Sequence, residues 1–219
     1  MKYNLLSYPI SVNTPVYGAD PGLMISALKQ IKKNGSSNTY RVNFLNHSGT
    51  HLDAPKHFYD SGRSVSGYNI SELIFSQPFV LSLPKSKDEL IGRSELSGIR
   101  QCDILLIKTG FYRFRHQKAY VFHNPGFTAE AAELIRQRHP SIRAIGIDTI
   151  SFSAYQNREA GRMAHRVLLK EAGRNKRSVL LVEDMDLSLS LVNLRRVILA
   201  PLFIQGVDSA PCTVIGEFK

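Results

Sequence analysis

His47-Ser48-Gly49-Thr50-His51-Leu52-Asp53-Ala54-Pro55-Lys56-His57 is the stretch on which the reading of this chain turns. Three of the seven histidines fall inside it, with an aspartate between the second and the third. Just upstream, Tyr40, Val42 and Phe44 alternate with Arg41, Asn43 and Leu45, the period-two pattern of a strand running into His47. Gly49 and Pro55 can shape a tight connection through the cluster. Imidazole nitrogens suit zinc and other first-row divalent ions, and aspartate adds a hard anionic oxygen. The spacing of His47 and His51 fits either one face of a helix or a turn wrapped around an ion. A polar turn with hydrogen-bonded histidines is the competing reading, and three histidines with Asp53 weigh against it. No glutamate completes a His-Glu-x-x-His pattern, which argues against a zincin-type peptidase. The cysteines of the zinc deaminases are also missing. His57 lies beyond Pro55, so it can stand outside the coordination sphere of the first two. An ordinary imidazole titrates near pH ~6.5, which suits proton transfer, whereas coordination or ligand orientation is its alternative role.

Further donors must come from distant positions. His165 is one candidate, read as the start of a helix in His165-Arg166-Val167-Leu168-Leu169. Glu183 is the other, at the end of an apolar run from Val179 to Val182. Working outward, residues 79–83, 104–107, 142–147 and 178–182 read as strands, and residues 202–204 and 213–215 as two more. Thr128 opens a helix over Ala129–Arg138 with Glu130 in its first turn. A second helix is expected over residues 162–172, ending at Gly173. Near the N-terminus Asp20-Pro21 reads as a helix start. Leu23, Met24, Leu28 and Ile31 supply that helix with an apolar face, and Asn34-Gly35 ends it. Residues 62–67 and 154–161 read as loops near a pocket. Strands interleaved with helices predict a compact, β-rich α/β single domain over residues 1–219, with strand order left open.

Composition narrows the function classes. The 219 residues, 43% of them hydrophobic, suffice for one substantial core. No apolar run approaches the roughly 18 to 20 residues of a membrane-spanning helix, and no signal-peptide core is evident, so a cytoplasmic protein is expected. Cys102 and Cys212 read as buried small hydrophobes. The formal charge of +10 comes from 28 Lys and Arg against 18 Asp and Glu. The basic residues are dispersed, which argues against specific nucleic-acid binding and for a surface that attracts anionic ligands.

Eight separated segments in order carry a resemblance to a known family. They are Leu6-Ser7-Tyr8-Pro9-Ile10, Thr14-Pro15-Val16-Tyr17-Gly18, the histidine cluster, Leu106-Ile107-Lys108-Thr109-Gly110, Gly146-Ile147-Asp148-Thr149, His165-Arg166-Val167-Leu168-Leu169, Val182-Glu183-Asp184 and the stretch from Pro201 through Gly206. Together they resemble the cyclase family of metal-dependent hydrolases, which includes bacterial kynurenine formamidases and isatin hydrolases. The resemblance implies a swivelling β/β/α, barrel-like fold and a homodimer or larger homo-oligomer. It implies that His47 and His51 hold one metal, that Asp53 and Glu183 bridge two, that His165 holds the second and that His57 moves the proton. One or two divalent ions, Zn2+ or Mn2+, are expected. In a mononuclear site His57, His165 and Glu183 would instead support or catalyse. The implied reaction is hydrolysis of a C–N bond in a small formamide, amide or cyclic amide. A lactone or ester hydrolase, a cyclase or dehydratase, and an inactive small-molecule-binding homologue are the alternatives.

The chain departs from the family pattern where specificity resides. Residues 151–158 lack the usual Asp-Pro-like turn, Gly18-Ala19-Asp20-Pro21 replaces Gly-Asp-Pro, and tryptophan is absent. Phe58, Tyr59, Phe111 and Tyr155 are candidates to stack on an aromatic substrate. Arg113, Arg115, Arg158 and Arg162 are candidates to attract a carboxylate.

Overall fold

The computed structural model describes residues 1–18, 21–171 and 177–219. Residues 104–107, 144–147 and 180–182 are apolar, glycine included, and their strands are buried on both faces. Such runs suit parallel strands sandwiched between other layers. In chain order the strands are β1 (Lys2–Leu5), β2 (Met24–Lys29), β3 (Thr39–Asn43), β4 (His51–Asp53), β5 (Ile74–Phe75), β6 (Pro78–Ser82), β7 (Leu90–Ile91), β8 (Ile104–Lys108), β9 (Gly126–Phe127), β10 (Ala144–Ile147), β11 (Leu180–Glu183), β12 (Leu194–Pro201) and β13 (Ser209–Phe218). The helices are α1 (Lys118–Phe122), α2 (Ala129–Arg138) and α3 (Arg158–Leu169).

Nine strands form one mixed sheet in the order β5-β12-β13-β4-β11-β10-β8-β6, with β1 added along β13. β6, β8, β10 and β11 run parallel, while β4 lies antiparallel to both β11 and β13. β5 and β6 stand at opposite ends of that order yet are joined by only Ser76 and Gln77, whose amides both donate to the Asp103 carboxylate (2.8 and 3.0 Å). The sheet therefore curls until its edges nearly meet, giving the barrel-like α/β fold that the family resemblance implies. Alternation sorts the side chains into two cores. Ile104, Leu106, Ala144, Leu180 and Val182 point inward with Leu52, Phe75, Val197 and Val214. Leu105, Ile107, Ile145 and Leu181 point outward, where α2 and α3 cover them with Ala131, Ile135, Ala164 and Leu168.

The helices form for local reasons. Thr128 caps α2, its hydroxyl accepting from the Ala131 amide at 3.2 Å. α3 begins four residues before the predicted start, because the Asn157 side chain caps it at the Ala160 amide. Its buried positions Gly161, Ala164, His165 and Leu168 follow helical spacing. The predicted end at Ala172 and Gly173 lies outside the described residues.

Two expectations fail. Residues 23–30 form no helix; Met24–Lys29 is β2, paired antiparallel with β3 through Ile25–Val42 and Ala27–Tyr40 in a two-stranded ribbon, and Ile31 only opens a single 3-10 turn. Its apolar spacing fits a helix, but the ready-made partner at residues 39–43 decides for a strand. The proposed cap Asp20 lies outside the described residues. Residues 202–204 are likewise no strand; they form an exposed turn after β12. Cys102 and Cys212 are buried and unpaired with each other, and burial pushes their thiols up to about 11 and about 12.

Candidate metal centre

β4 carries His51 and Asp53 on one face, at the point where the antiparallel strand meets the C-terminal end of β11 and thus Glu183. His47 precedes it in the connection from β3. That connection bends at Gly49 (φ +68°), where a side chain would press on Ile10 and Thr14 at 3.3 and 3.4 Å. His57 follows in a single 3-10 turn over Pro55–His57. The spacing of His47 and His51 thus belongs to a turn and a strand, not to a helix face. α3 delivers His165 in its C-terminal half, not at a helix start. Gly161 permits this, because a Cβ there would sit 2.2 Å from Ser153 Oγ.

Hydrogen bonds fix the imidazole tautomers. His51 Nδ1 donates to the Gly49 carbonyl (2.8 Å), and His165 Nδ1 donates to the Gly161 carbonyl (2.8 Å). Both Nε2 atoms are left facing carboxylates. His51 Nε2 lies 3.3 Å from Glu183 Oε2 and 3.5 Å from Asp53 Oδ1. His165 Nε2 lies 3.2 Å from Glu183 Oε1 and 3.9 Å from Asp53 Oδ2. A nitrogen lone pair against a carboxylate is repulsive unless a proton or a cation stands between them. His51 Nε2 and both Asp53 oxygens are buried without a hydrogen-bond partner among the described residues. Such orphaned atoms are costly in a folded chain and mark a place for an ion. Glu183 Oε1 is steadied from behind by the Phe152 amide (2.8 Å) and Ser151 Oγ (3.1 Å).

The electrostatics agree. Burial works against charge on His51 and His165, but Asp53 and Glu183 outweigh it and push both imidazoles up. Asp53, although buried, is held well below the carboxylate range by His47, His57 and His51. His47 behaves likewise: burial opposes its charge, while Asp53 and Asp208 push it up to about 10. The surplus of carboxylate charge that favours protons on these imidazoles would equally favour a divalent ion. Two groups have the donor types and closeness for one, His51 with Asp53 and Glu183, and His47 with Asp53 and His57.

Asp208, just before β13, was not singled out from the sequence. It accepts from His57 Nδ1 (2.7 Å) and from His47 Nε2 (3.0 Å), and Asn46 donates to its other oxygen (2.7 Å). These bonds from His47 and His57 hold its carboxyl far below the ordinary range. With Nδ1 committed to Asp208, His57 turns Nε2 free for other partners. His47 uses Nε2 on Asp208 and directs Nδ1 at Asp53 Oδ1, 3.1 Å away. The one available signal was an acid directly before an apolar strand, the mirror image of Glu183, which ends one.

The cluster forms the floor of a cavity of about 530 Å³. Tyr17, Leu45, Phe58 and Ile150 line its sides, with Arg158 and Arg162 also in its wall. Of the aromatic candidates, Phe58 lines this cavity and stacks on His165 (5.2 Å). Phe111 does not, being fully buried against Tyr120. Tyr155 lies beneath the Arg158 guanidinium (3.9 Å), whereas Tyr59 bonds the Arg166 carbonyl. Arg115 is excluded as a substrate contact: it is buried and forked onto Asp184 at 2.8 and 2.6 Å. Arg113 is not among the residues lining the cavity.

Comparison with known proteins matches residues 5–154 to the family model Cyclase ("Putative cyclase"). "Cyclase-like protein 3" of Arabidopsis thaliana is 28% identical over 220 residues, covering 96% of this chain and 77% of that protein. "Kynurenine formamidase" of Bacillus anthracis is 26% identical over 218 residues, covering 98% and 96%. Among solved structures, "Isatin hydrolase A (IHA) from Labrenzia aggregata bound to benzyl benzoate" superposes with a TM-score of 0.81 at 20% identity, covering 98% of this chain and 93% of that one. With its family match spanning more than half of its length and the fold in agreement, this chain belongs to the cyclase family of hydrolases.

Proposed function

We propose that this protein hydrolyses a C–N bond in a small formamide, amide or cyclic amide, with one or two divalent ions, Zn2+ or Mn2+, in the cluster. The observation that carries this reading is the convergence of His51 Nε2 and His165 Nε2 on Asp53 and Glu183, with His51 Nε2 and both Asp53 oxygens buried without a hydrogen-bond partner among the described residues. His47, His51, Asp53, His165 and Glu183 would hold the metal. When bound, it supplies the Lewis acidity that makes water a nucleophile near neutral pH. His57 accepts the proton of that water at Nε2 and returns it to the departing nitrogen. Asp208 holds the imidazole in the required tautomer and offsets the charge it gains. The amide chemistry is supported by relatives called kynurenine formamidase and isatin hydrolase.

The cavity supports a flat substrate bearing an anion. Phe58 and Ile150 give an apolar wall, and exposed Arg158 and Arg162 supply positive charge. A homo-oligomer fits the ribbon, where Met24, Leu28, Tyr40 and Leu45 are between 39% and 58% exposed. Leu45 also lines the cavity, so a second copy docked there would lie beside it. A panel of N-formylanilides, isatin-like lactams, esters and lactones, each with and without a carboxylate, tests the reaction. Carboxylated formanilides or lactams should turn over fastest, and chelation should stop the reaction. Turnover confined to esters and lactones, or insensitive to chelation, would contradict the proposal.

A further inference from the structure

A second cavity, of about 420 Å³, opens at the other edge of the same parallel strands. Arg143 and Ser178 in its wall precede β10 and β11, whereas Glu183 of the metal centre ends β11. Four arginines line it, Arg63, Arg136, Arg143 and Arg177, against one acid, Glu72.

Two of the guanidinium groups are already satisfied. Arg63 forks onto Glu72 (2.9 and 2.6 Å) and lies over the Tyr68 ring. Arg143 donates to the Glu72 and Ile74 carbonyls (2.6 and 2.7 Å) and reaches Asp103 at 3.4 Å. The other two are not. Arg136, half-buried, reaches only carbonyls, of Leu168 (3.0 Å) and Arg177 (3.3 Å). Neither Arg136 nor Arg177 has a carboxylate within ion-pair distance among the described residues, although Glu171 reaches the Arg63 amide nearby. Burial without a compensating anion depresses the Arg136 pKa. Hydroxyls of Tyr68 and Ser178, 3.3 Å apart, add neutral donors at the same wall.

We infer that this cavity is an anion site, separate from the metal centre, that takes the phosphate group of a small molecule. Guanidinium forks match the oxygens of phosphate two at a time, and a desolvated arginine without a carboxylate gains most from one. The volume holds a phosphate with a small organic group attached. The absence of a continuous basic stripe disfavours a nucleic-acid backbone.

Calorimetric titration of the metal-loaded protein with inorganic phosphate and with phenyl phosphate, at constant ionic strength, tests this. Besides phosphate held at the metal centre, one further saturable site per chain is expected, weakened about ten-fold in Arg177→Gln and in Arg136→Gln, the loss of one charge-assisted contact. Arg158→Gln and Arg162→Gln, at the metal centre, should leave it unchanged. Tighter phenyl phosphate would identify an esterified ligand and equal binding the free ion, and both uphold the site. Arg136 also ties down α3, so the exposed Arg177→Gln variant decides if Arg136→Gln fails to fold. Lack of this further site, binding at it indifferent to Arg177→Gln, or binding at it weakened by Arg158→Gln would overturn the inference.

Discussion

The floor of the large cavity and the β2–β3 ribbon invert the ordinary pattern of burial in opposite senses. At the floor, His51, Asp53, His165 and Glu183 are all at most 4% exposed, and three of their polar atoms lack hydrogen-bond partners. On the ribbon every residue of both strands is exposed, and Ile25 and Val42, paired across it, are each 49% exposed. Buried polar groups without partners and clustered exposed apolar groups both carry a free-energy cost. The first is suited to a divalent cation, and the second is the face on which the proposed homo-oligomer would pack.

Removing the anion at the floor should have the largest effect. Asp53→Ala deletes a carboxylate shared by both candidate ion groups. Metal content and turnover should fall by more than the ~10–100-fold expected for a residue that only supports a ligand. His57→Gln separates roles at the same floor: a proton carrier loses ~10²–10⁴-fold in turnover while metal remains bound. Loss of the metal instead would make His57 a ligand. Asp208→Asn should cost ~10–100-fold, and its effect should appear in kcat and in the pH profile more than in KM.

The ribbon provides the contrasting perturbation. Ile25→Asp with Val42→Asp should shift the protein toward monomer in analytical ultracentrifugation, with metal content unchanged. A monomeric wild type would break the comparison, because the exposed apolar face would then have no occupant of its own kind.

A smaller effect concerns pH. In the metal-free protein His47 is raised to about 10 from an unfolded value near ~6.5. Its contribution to stability is therefore complete below ~6.5 and lost as pH rises through about 10. Asp208, depressed, contributes above ~3.9 and loses that contribution as pH falls. Melting temperature of the metal-free chain should thus decline from near neutrality toward alkaline pH. With metal the slope between pH ~5 and ~7 should be positive, since ligation requires deprotonated imidazoles. Identical slopes with and without metal would remove the ion from the account.

How legible each region was in the sequence follows from the range of its interactions. The runs at residues 104–107 and 180–182 announce buried strands, since their apolar character is intrinsic to the segment. The histidine cluster is legible for the same reason: His47, His51, Asp53 and His57 are neighbours in the chain as well as in space. His165 and Glu183 are legible as candidates from their place beside apolar runs, and the family resemblance implies their roles. The ribbon was misread because Leu23, Met24, Leu28 and Ile31 satisfy helical spacing, while the strand partner that overrides it is set by cross-strand pairing. Asp208 was missed because its histidine partners lie 161 and 151 positions earlier, so no local pattern connects them. Likewise Arg63, Arg136, Arg143 and Arg177 look dispersed along the chain and converge only when the strands are assembled.

Metal analysis of the metal-replete protein shows whether the orphaned atoms at the floor hold a cation. Elemental analysis after desalting should find one or two divalent ions per chain in the wild type. Asp53→Ala, folded by circular dichroism, should retain essentially none. A wild type without bound metal, or an Asp53→Ala variant that keeps its full complement, would contradict the account.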